Sequence, residues 1–391
     1  MRFSAILTIA ALTASPAIAT VPCGGTFNEF IAAMKSEALA RGHGDAIVNR
    51  FFASAAQDAK VLAADRAQGI FRTDFIDFSR RVISQNRMDN GRRYSDELDG
   101  VFDRIKRDYG VSRGVLLALW ALETDFGQVQ GEFNTLNALL TLSQDCRRPE
   151  LFQPQIFAAL ELFDRGDFDP ATTKGAWAGE IGMVQMLPGD ILTNGVDGDG
   201  DGRVSLKTSK PDALMSGARM LQSLGWRANE PWISQITVPG DLDWRDTGLR
   251  TTKTVSEWAA LGVTPRNGDL GAPDMPASVI LPMGHEGPAF LVYPNFSVFF
   301  EWNQSFTYVM SAAYFATRLE GAAIFDPGSP SPLLSDAEMK ALQAKLELLG
   351  YDVGGVDGIL GAKTRAAIQA EQIRLGLPAD AWPTPELLNR L

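Results

Sequence analysis

Apolar residues recur at helical spacing along most of this 391-residue chain. Between residues 24 and 110 they alternate with charged faces, with Phe30 and Met34 on one such stripe, which is typical of amphipathic helices. From 236 to 300 the pattern changes to short β-prone runs such as ASVILPM and FLVY, separated by Pro, Gly and Asp. Residues 302–323 return to a helical pattern. We therefore predict a mainly α, α+β core with a small β section.

The last part of the chain has the pattern of a linker followed by a small helical unit. Residues 326–333 contain the run DPGSPSP, whose Pro, Gly and Ser content is typical of an interdomain linker. Residues 334–391 begin with Ser335 and Glu338, which have the spacing of an N-terminal capping box. Leucines then follow at helical spacing as far as Gly350. The sequence predicts a separate compact module at 334–391.

Composition and charge narrow the possible classes of function. Apolar residues make up 45% of the chain and charged residues 21%, as in ordinary globular proteins. The formal net charge of −11, without any Lys/Arg cluster, argues against binding to nucleic acid or to an anionic membrane surface. The only histidines, His43 and His285, lack neighbouring ligand patterns, which weakens a Ser-His-Asp or zinc hydrolase. Chemistry based on carboxylates is favoured.

The first residues have the pattern of a secretory signal peptide. Residues 1–19 combine Arg2, a short apolar run and an A-I-A cleavage pattern, and we predict an exported, soluble protein with no transmembrane segment. The apolar run is too short for the alternative, an N-terminal membrane anchor. In an oxidising compartment the two cysteines, Cys23 and Cys146, predict one disulfide. Two unrelated buried thiols are the alternative.

A carboxylate directly follows a strongly apolar run. Residues 115–122 read VLLALWAL, and Glu123 comes next. A helix that is apolar on every side is normally buried, and burying a carboxylate is costly unless something compensates it. Burial raises the pKa of a carboxyl group, as a general acid near neutral pH requires. An exposed charge at a helix end is the alternative. We expect Asp125, two residues on, to point away from Glu123.

A second segment supports a functional role for Glu123. Residues 175–190 read GAWAGEIGMVQMLPGD, which is glycine-rich and apolar around a single amide, Gln185. A turn followed by a helix is the structural alternative. The Glu123 segment LWALETDFG precedes it, and the acidic loop DGDGDGR, LGW and YPNF follow it in this order. Together these segments resemble the membrane-bound lytic transglycosylase B family. The resemblance covers roughly residues 24–325, and we predict a catalytic region at 20–325.

This resemblance implies a fold and a reaction. The fold is a helical domain, a lysozyme-like core and a small β section around a deep cleft. The reaction cleaves the β-1,4 bond between N-acetylmuramic acid and N-acetylglucosamine without water. One glutamate, matching Glu123, protonates the leaving oxygen, and its conjugate base then helps the 6-hydroxyl of muramic acid attack C1. The product carries a 1,6-anhydro end, and no cofactor is needed for the chemistry.

The resemblance also implies residues that contact the sugar. Gln185 and Asn303 match contacts near the glutamate, and Tyr308 matches a cleft tyrosine. Trp302 stands where the family commonly has tyrosine. This change keeps the ring that stacks on a sugar but removes the hydroxyl group. The predicted substrate-binding residues are Gln185, Asn303, Trp302, Tyr308, Met183 and Phe78. Trp177 and Tyr293 are further cleft candidates, with core packing as the alternative for these two and for Met183.

The loop VDGDGDGRV resembles a calcium-binding loop. It places Asp197, Asp199 and Asp201 at alternate positions before a glycine. It is not a standard EF-hand, because threonine stands where the bidentate glutamate belongs. The family uses a longer loop, in which Asp212 supplies a late carboxylate and Arg203 only its backbone carbonyl. We predict a structural Ca²⁺, with a solvated aspartate-glycine turn as the alternative.

The C-terminal module resembles a three-helix peptidoglycan-binding domain. The carrying residues are Leu349-Gly350-Tyr351, Gly355-Val356-Asp357-Gly358, Gly361, Thr364, Ala367-Ile368, Gln372 and Gly376-Leu377. The pattern departs from the family at Ala381-Trp382, where a glycine is usual. A generic helical cap is the alternative.

Together the two resemblances predict a periplasmic lytic transglycosylase with a wall-binding module. Its partners are the glycan strands of peptidoglycan, and no nucleic acid is expected. A hydrolytic muramidase and an inactive wall-binding scaffold are the alternatives. An intact Glu123 and Gln185 speak against the scaffold, whereas the sequence does not separate the two reactions. Protein partners, oligomeric state and exo- or endo-cleavage are not predicted.

Overall fold

The computed structural model describes residues 21–66 and 73–391. The predicted signal peptide, residues 1–19, lies outside these ranges. Within them, no helix is both long enough and apolar enough to cross a membrane.

The described chain up to residue 223, somewhat more than half of it, is mainly helical. Side-chain caps begin several helices, as Asp74 does for α4 and Ser84 for α5, because each accepts a hydrogen bond from an otherwise unpaired backbone N–H. The helices are α1 (Phe27–Ala40), α2 (Asp45–Phe51), α3 (Ala59–Arg66), α4 (Phe75–Val82), α5 (Gln85–Glu97), α6 (Asp99–Tyr109), α7 (Arg113–Thr124), α8 (Thr135–Gln144), α9 (Pro149–Arg165), α10 (Pro188–Asn194) and α11 (Lys210–Ser223). A small antiparallel pair, β1 (Phe133–Asn134) with β2 (Lys174–Gly175), lies between them.

The small β section is a five-stranded antiparallel sheet. Its strands are β3 (Ile233–Thr237), β4 (Lys253–Thr254), β5 (Thr264–Pro265), β6 (Pro276–Ile280) and β7 (Ala289–Val292), in the order β4-β6-β7-β3-β5, with helix α12 (Val255–Ala260) between β4 and β5. The strands therefore span 233–292 rather than the predicted 236–300. The β section ends earlier than predicted because Pro294 is the first residue of helix α13 (Pro294–Trp302), where its missing N–H costs no hydrogen bond.

The helix predicted over 302–323 is interrupted. Helix α13 ends at Trp302, Asn303 has an extended backbone, and α14 (Phe306–Leu319) begins after Ser305. Polar capping explains the break, because Asn303 Oδ1 accepts the Ser305 N–H at 2.9 Å and Ser305 caps α14. A continuous apolar pattern does not reveal such a break.

The C-terminal module contains the three predicted helices, α15 (Asp336–Leu348), α16 (Ala362–Leu375) and α17 (Pro385–Arg390). The capping box between Ser335 and Glu338 is present. Leu349 is 51% exposed and does not continue the buried stripe, because α15 has already ended there. Ala381, at the departure from the family pattern, has a φ of 60°, which is the left-handed conformation that glycine adopts without strain.

The module packs against the sheet. Gln369 of α16 donates hydrogen bonds to the carbonyls of Trp244 at 3.2 Å and Thr247 at 3.0 Å. His285 Nδ1 lies 2.6 Å from Asp380 Oδ2. The predicted linker contacts the sheet region through a hydrogen bond from the Ser329 N–H to the Glu286 carbonyl, and it contacts the module through one from Trp382 Nε1 to the Ser331 carbonyl.

The helices and the sheet bury an extensive apolar core in which α7 is central. Every residue of α7 from Gly114 to Ala121 is buried, and α14 packs along it. A disulfide joins Cys23 to Cys146, with their Cα atoms 5.3 Å apart, and so ties the segment before α1 to the end of α8. The predicted mainly α fold with a small β section and a separate C-terminal helical module is confirmed.

Candidate active site

Helix α7 ends in a compact, unusual turn. Glu123 lies in its last turn, and Asp125, Phe126 and Gly127 then have φ values of 51°, 60° and 85°. Two successive non-glycine residues in this conformation are uncommon, and such strain is concentrated at functional sites. The ring of Phe126 returns to the ring of Trp120, with centroids 5.3 Å apart, so the turn is anchored in the core. The turn presents Glu123 at the surface of a cleft.

Two side chains hold the Glu123 carboxyl group. Tyr308 donates from its hydroxyl to Glu123 Oε1 at 2.5 Å, and Trp302 donates from Nε1 to the same oxygen at 3.0 Å. The other oxygen, Oε2, has no hydrogen bond from the described residues, and Glu123 lines the cleft. The site therefore fixes one oxygen of the acid and leaves the second for a ligand.

The electrostatic environment keeps a proton on this acid to higher pH. Burial raises the pKa of Glu123, and the hydrogen bonds from Tyr308 and Trp302 lower it by less. Burial also raises the pKa of Tyr308, and the neighbouring charge of Glu123 raises it further, so its hydroxyl keeps its proton and donates. The pKa of Glu123 is thus raised, as a general acid that works near neutral pH requires.

The cleft has a volume of about 810 Å³. Helices α4 and α5, the end of α7, and the residues around the break between α13 and α14 contribute to it. Its lining residues are Phe78, Arg81, Val82, Ser84, Asn86, Arg87, Leu122, Glu123, Asp125, Trp177, Asn303 and Tyr308.

Several predicted site residues come together at this cleft. Phe78 and Asn303 line it, and Trp302 and Tyr308 meet at Glu123. Trp177 also lines the cleft. Trp302 supplies an N–H donor to the acid, a role that differs from the stacking expected of it.

Other predicted residues lie outside the cleft lining. Met183 is only 8% exposed, and its side chain packs under Gly127, where a Cβ would come within 3.2 Å of Met183 Cγ. Its carbonyl accepts the Thr124 hydroxyl at 2.6 Å, so Met183 supports the turn after Glu123. Gln185 has a φ of 54° and donates to the Gly182 carbonyl at 2.7 Å. Tyr293 is buried under the sheet, which matches the packing alternative.

Glu180 is a second buried acid that the sequence analysis passed over. Its Oε2 is buried without a hydrogen-bond partner in the described chain. Burial raises the pKa of Glu180 to about 7, and the charge of Glu123 contributes in the same direction. A lone acid beside apolar residues pointed to Glu123, and Glu180 likewise stands alone among apolar and glycine residues in the run GAWAGEIGMV.

Asp125 faces the cleft but is engaged by a neighbour. Its Oδ1 accepts from Arg87 Nε at 2.9 Å, and Arg87 also donates to the Val82 carbonyl. Arg87 belongs to a helix far away in sequence, and no local pattern connects it to Glu123. The expectation that Asp125 points away from Glu123 is therefore wrong, because Asp125 follows the end of α7 with a left-handed backbone and both acids line one cleft. The ion pair with Arg87 is what sets Asp125 apart from Glu123.

Three of the four predicted calcium-ligand aspartates form a cluster. Asp197, Asp199 and Asp212 each offer a carboxylate oxygen, and these oxygens lie within 4.8 Å of one another. Asp212 is fully buried and accepts backbone hydrogen bonds from Gly198 at 2.9 Å and Ser205 at 2.7 Å, which fix its position. Clustered carboxylate oxygens are the donors that a hard cation such as Ca²⁺ prefers.

The fourth aspartate lies outside this cluster. Asp201 instead accepts the backbone N–H of Arg203 at 2.9 Å, as in a tight turn.

Comparison with known proteins identifies the family. A transglycosylase SLT domain model matches residues 26–317, and a peptidoglycan-binding domain model matches residues 335–391. The chain belongs to the transglycosylase SLT family. The family membership predicted from the sequence, and with it the lytic transglycosylase class, is confirmed.

Individual relatives agree with this assignment. The chain is similar to membrane-bound lytic murein transglycosylase B of Escherichia coli K12, at 27% identity over 238 residues, which cover 61% of this chain and 65% of that relative. It is also similar to Pseudomonas aeruginosa SltB3 in complex with NAG-anhNAM-pentapeptide, with 34% identity, a TM-score of 0.85 and coverage of 94% of this chain and 99% of that one. A third is E. coli Slt35 in complex with calcium, with 25% identity, a TM-score of 0.63 and coverage of 77% and 96%.

Proposed function

We propose that this protein is a periplasmic lytic transglycosylase that cleaves the β-1,4 bond between N-acetylmuramic acid and N-acetylglucosamine. Family membership supports the reaction class, and the anhNAM ligand of the SltB3 complex supports an anhydro product. The disulfide between Cys23 and Cys146 and the predicted signal peptide support an oxidising compartment outside the cytoplasm. The catalytic region is assigned to 20–325, the linker to 326–333 and the wall-binding module to 334–391.

The observation that carries the proposal is the setting of Glu123. Its pKa is raised by burial, one carboxyl oxygen is fixed by Tyr308 and Trp302, and the residue lines the cleft. Asp125 is the other acid in the cleft lining and is engaged by Arg87. A single acid with a substrate hydroxyl as nucleophile fits this arrangement better than the two-carboxylate scheme of glycoside hydrolysis.

The mechanism uses Glu123 twice. First, its proton passes to the glycosidic oxygen as the bond from that oxygen to C1 of muramic acid breaks. The carboxylate then accepts the proton of the 6-hydroxyl as O6 bonds to C1, which closes the 1,6-anhydro ring and restores the acid. Tyr308 and Trp302 stabilise the carboxylate between the two steps, since both donate to it. No water is consumed.

The substrate is held by residues around the acid. Phe78 and Asn303 line the same cleft as Glu123, and we assign them to sugar binding, with Trp302 and Tyr308 at the acid itself. Gln185 and Met183, predicted as substrate contacts, are not among the residues that line this cleft. We assign them to support of the adjacent loops, where Gln185 donates to Gly182 and Met183 accepts from Thr124.

The acidic loop is proposed to hold a structural Ca²⁺ through Asp197, Asp199 and Asp212. The calcium complex of E. coli Slt35 supports this assignment. A bound cation would neutralise the mutual repulsion of these carboxylates and so stabilise the fold near α11. It has no part in the bond cleavage.

The test is mass spectrometry of the material released from purified peptidoglycan sacculi. A lytic transglycosylase releases anhydro products, which are lighter by one water than the products of the alternative, a hydrolytic muramidase. A wall-binding scaffold binds sacculi and releases neither. The Glu123→Gln variant serves as the matched control, and any product it releases at the wild-type rate belongs to a contaminating enzyme or contradicts the assigned acid.

A further inference from the structure

The C-terminal module contacts the segment that holds the acid. Arg365 of α16 places its guanidinium carbon 4.3 Å from the centroid of the Phe306 ring. Phe306 is the first residue of α14 and is 4% exposed. It lies on a wall of a cavity of about 160 Å³ between module and sheet, together with Arg365. The module therefore covers the start of the helix that carries Tyr308.

The Arg365 side chain makes this contact from a fixed position. Arg365 donates from Nη2 to the carbonyl of Pro282 at 2.6 Å, which anchors the guanidinium to the sheet region. Its Nε is buried and has no hydrogen-bond partner within the described chain. The guanidinium also lies 5.7 Å from the Trp382 ring. Its orientation is thus set by one carbonyl and by the two rings, which favour a cation over their faces.

Helix α14 connects the Arg365–Phe306 contact to Glu123. Phe306 and Tyr308 are two residues apart and so lie about 200° apart around the axis of α14, on opposite sides of the helix. One side meets Arg365, and the other places the Tyr308 hydroxyl on Glu123. The non-helical residues before Phe306 lead back to Trp302, the second donor to Glu123. Residues 302–308 are therefore held between the module and the acid.

We infer that Arg365 is a positioning residue for the transglycosylase reaction, which fixes residues 302–308 through Phe306 so that Trp302 and Tyr308 remain on Glu123. This inference rests on the proposed function, and it gives the wall-binding module a second role besides attachment. Arg365 touches neither substrate nor acid, so its effect on the reaction passes through the two donors.

The test compares full-length variants on a soluble peptidoglycan tetrasaccharide, with kcat and KM measured separately from anhydro product release. Arg365→Ala should lower kcat by on the order of 10-fold, because misplaced catalytic groups slow the chemical step, and should raise KM by a smaller factor, since Asn303 in the same segment is assigned to sugar binding. Loss of the two donors' hold on the ionised acid should also move the decline of kcat at high pH to higher pH. Arg365→Lys, which keeps a cation near the ring, should recover part of kcat.

The matched control is Gln369→Ala. Gln369 lies one turn further along α16 and bonds to Trp244 and Thr247, so its loss loosens the same interface away from α14. It should keep kcat and the pH profile near those of the wild type. If Arg365→Ala does not melt cooperatively, Phe306→Leu and Arg365→Lys are compared by the same two readouts.

Two results would overturn the inference. One is a folded Arg365→Ala protein, or a folded pair of replacement variants, with wild-type kcat and pH profile. The other is an equal loss of kcat in Gln369→Ala, which would assign the effect to docking in general. A wild-type protein that forms no anhydro product contradicts the proposed function itself, and so the two failures are distinguishable.

Discussion

Tyr308 donates a hydrogen bond to Glu123 at 2.5 Å, although the two residues are 185 positions apart in the chain. The packing of α14 along α7 brings them together. The pair connects an acid whose pKa is raised by burial to a donor that favours its ionised form, and both properties are required of a group that first gives and then accepts a proton.

Glu123→Gln should abolish most of the activity while preserving the fold. The amide keeps the volume and the donors' contact but carries no titrating proton, and general acid–base groups contribute on the order of 10²–10⁴-fold. One group performs both steps, so the upper end is expected in assays of anhydro product release. Asp125→Asn is the matched control, because asparagine also tolerates the left-handed backbone at φ 51°. It should retain at least about tenfold more activity than Glu123→Gln, and comparable losses would argue against a single acid.

Tyr308→Phe should move the pH dependence of activity upward. The hydroxyl stabilises the carboxylate form of Glu123, so its removal raises the pKa of an acid that burial has already raised. The protonated form starts the reaction, and activity is lost as pH rises through this pKa. The decline of kcat/KM at high pH should therefore shift up by about one unit, since a hydrogen bond to a charged group has about that effect. A profile that shifts to lower pH, or does not move, would contradict this reading of the hydrogen bond.

Glu180→Gln should alter the pH dependence of stability. The folded-state pKa of Glu180 is about 7, above its ordinary value of 4.5, so its contribution to stability is complete below pH 4.5 and is lost as pH rises through 7. That shift corresponds to at most roughly 3 kcal/mol of unfolding free energy. The variant should gain stability relative to the wild type between pH 4.5 and 8 in urea unfolding. Glu150→Gln, at an exposed position, controls for the change of charge.

Calcium should raise the melting temperature of the full-length protein relative to chelator. Binding to the native state alone stabilises it by mass action, about 2.7 kcal/mol when the ion is at 100 times its Kd. Asp199→Asn should reduce this increase, because Asp199 belongs to the carboxylate cluster. Asp201→Asn is the matched control, as Asp201 lies outside the cluster. Equal melting temperatures with calcium and with chelator in the wild type would count against the site.

The sequence alone located the candidate acid and most of the architecture. An apolar run that ends in Glu123 predicts a buried helix with a terminal carboxyl, since burial and helical periodicity are properties of neighbouring residues. Local capping likewise predicted the start of the module at Ser335 and Glu338. The acidic loop predicted the carboxylate cluster in part, because Asp197 and Asp199 are close together in the turn that brings them together.

The tertiary structure decided which side chains meet. Trp302 and Tyr308 reach one oxygen of Glu123 only because α13 and α14 are separated by a short polar break, which a continuous apolar pattern does not display. Met183 is not among the residues that line the cleft, and its side chain fills the space under Gly127. The contact of Arg365 with Phe306 depends on how a separate module docks on the sheet. Such contacts form between segments distant in sequence and depend on side-chain shape, whereas local patterns record only which face of each element is buried.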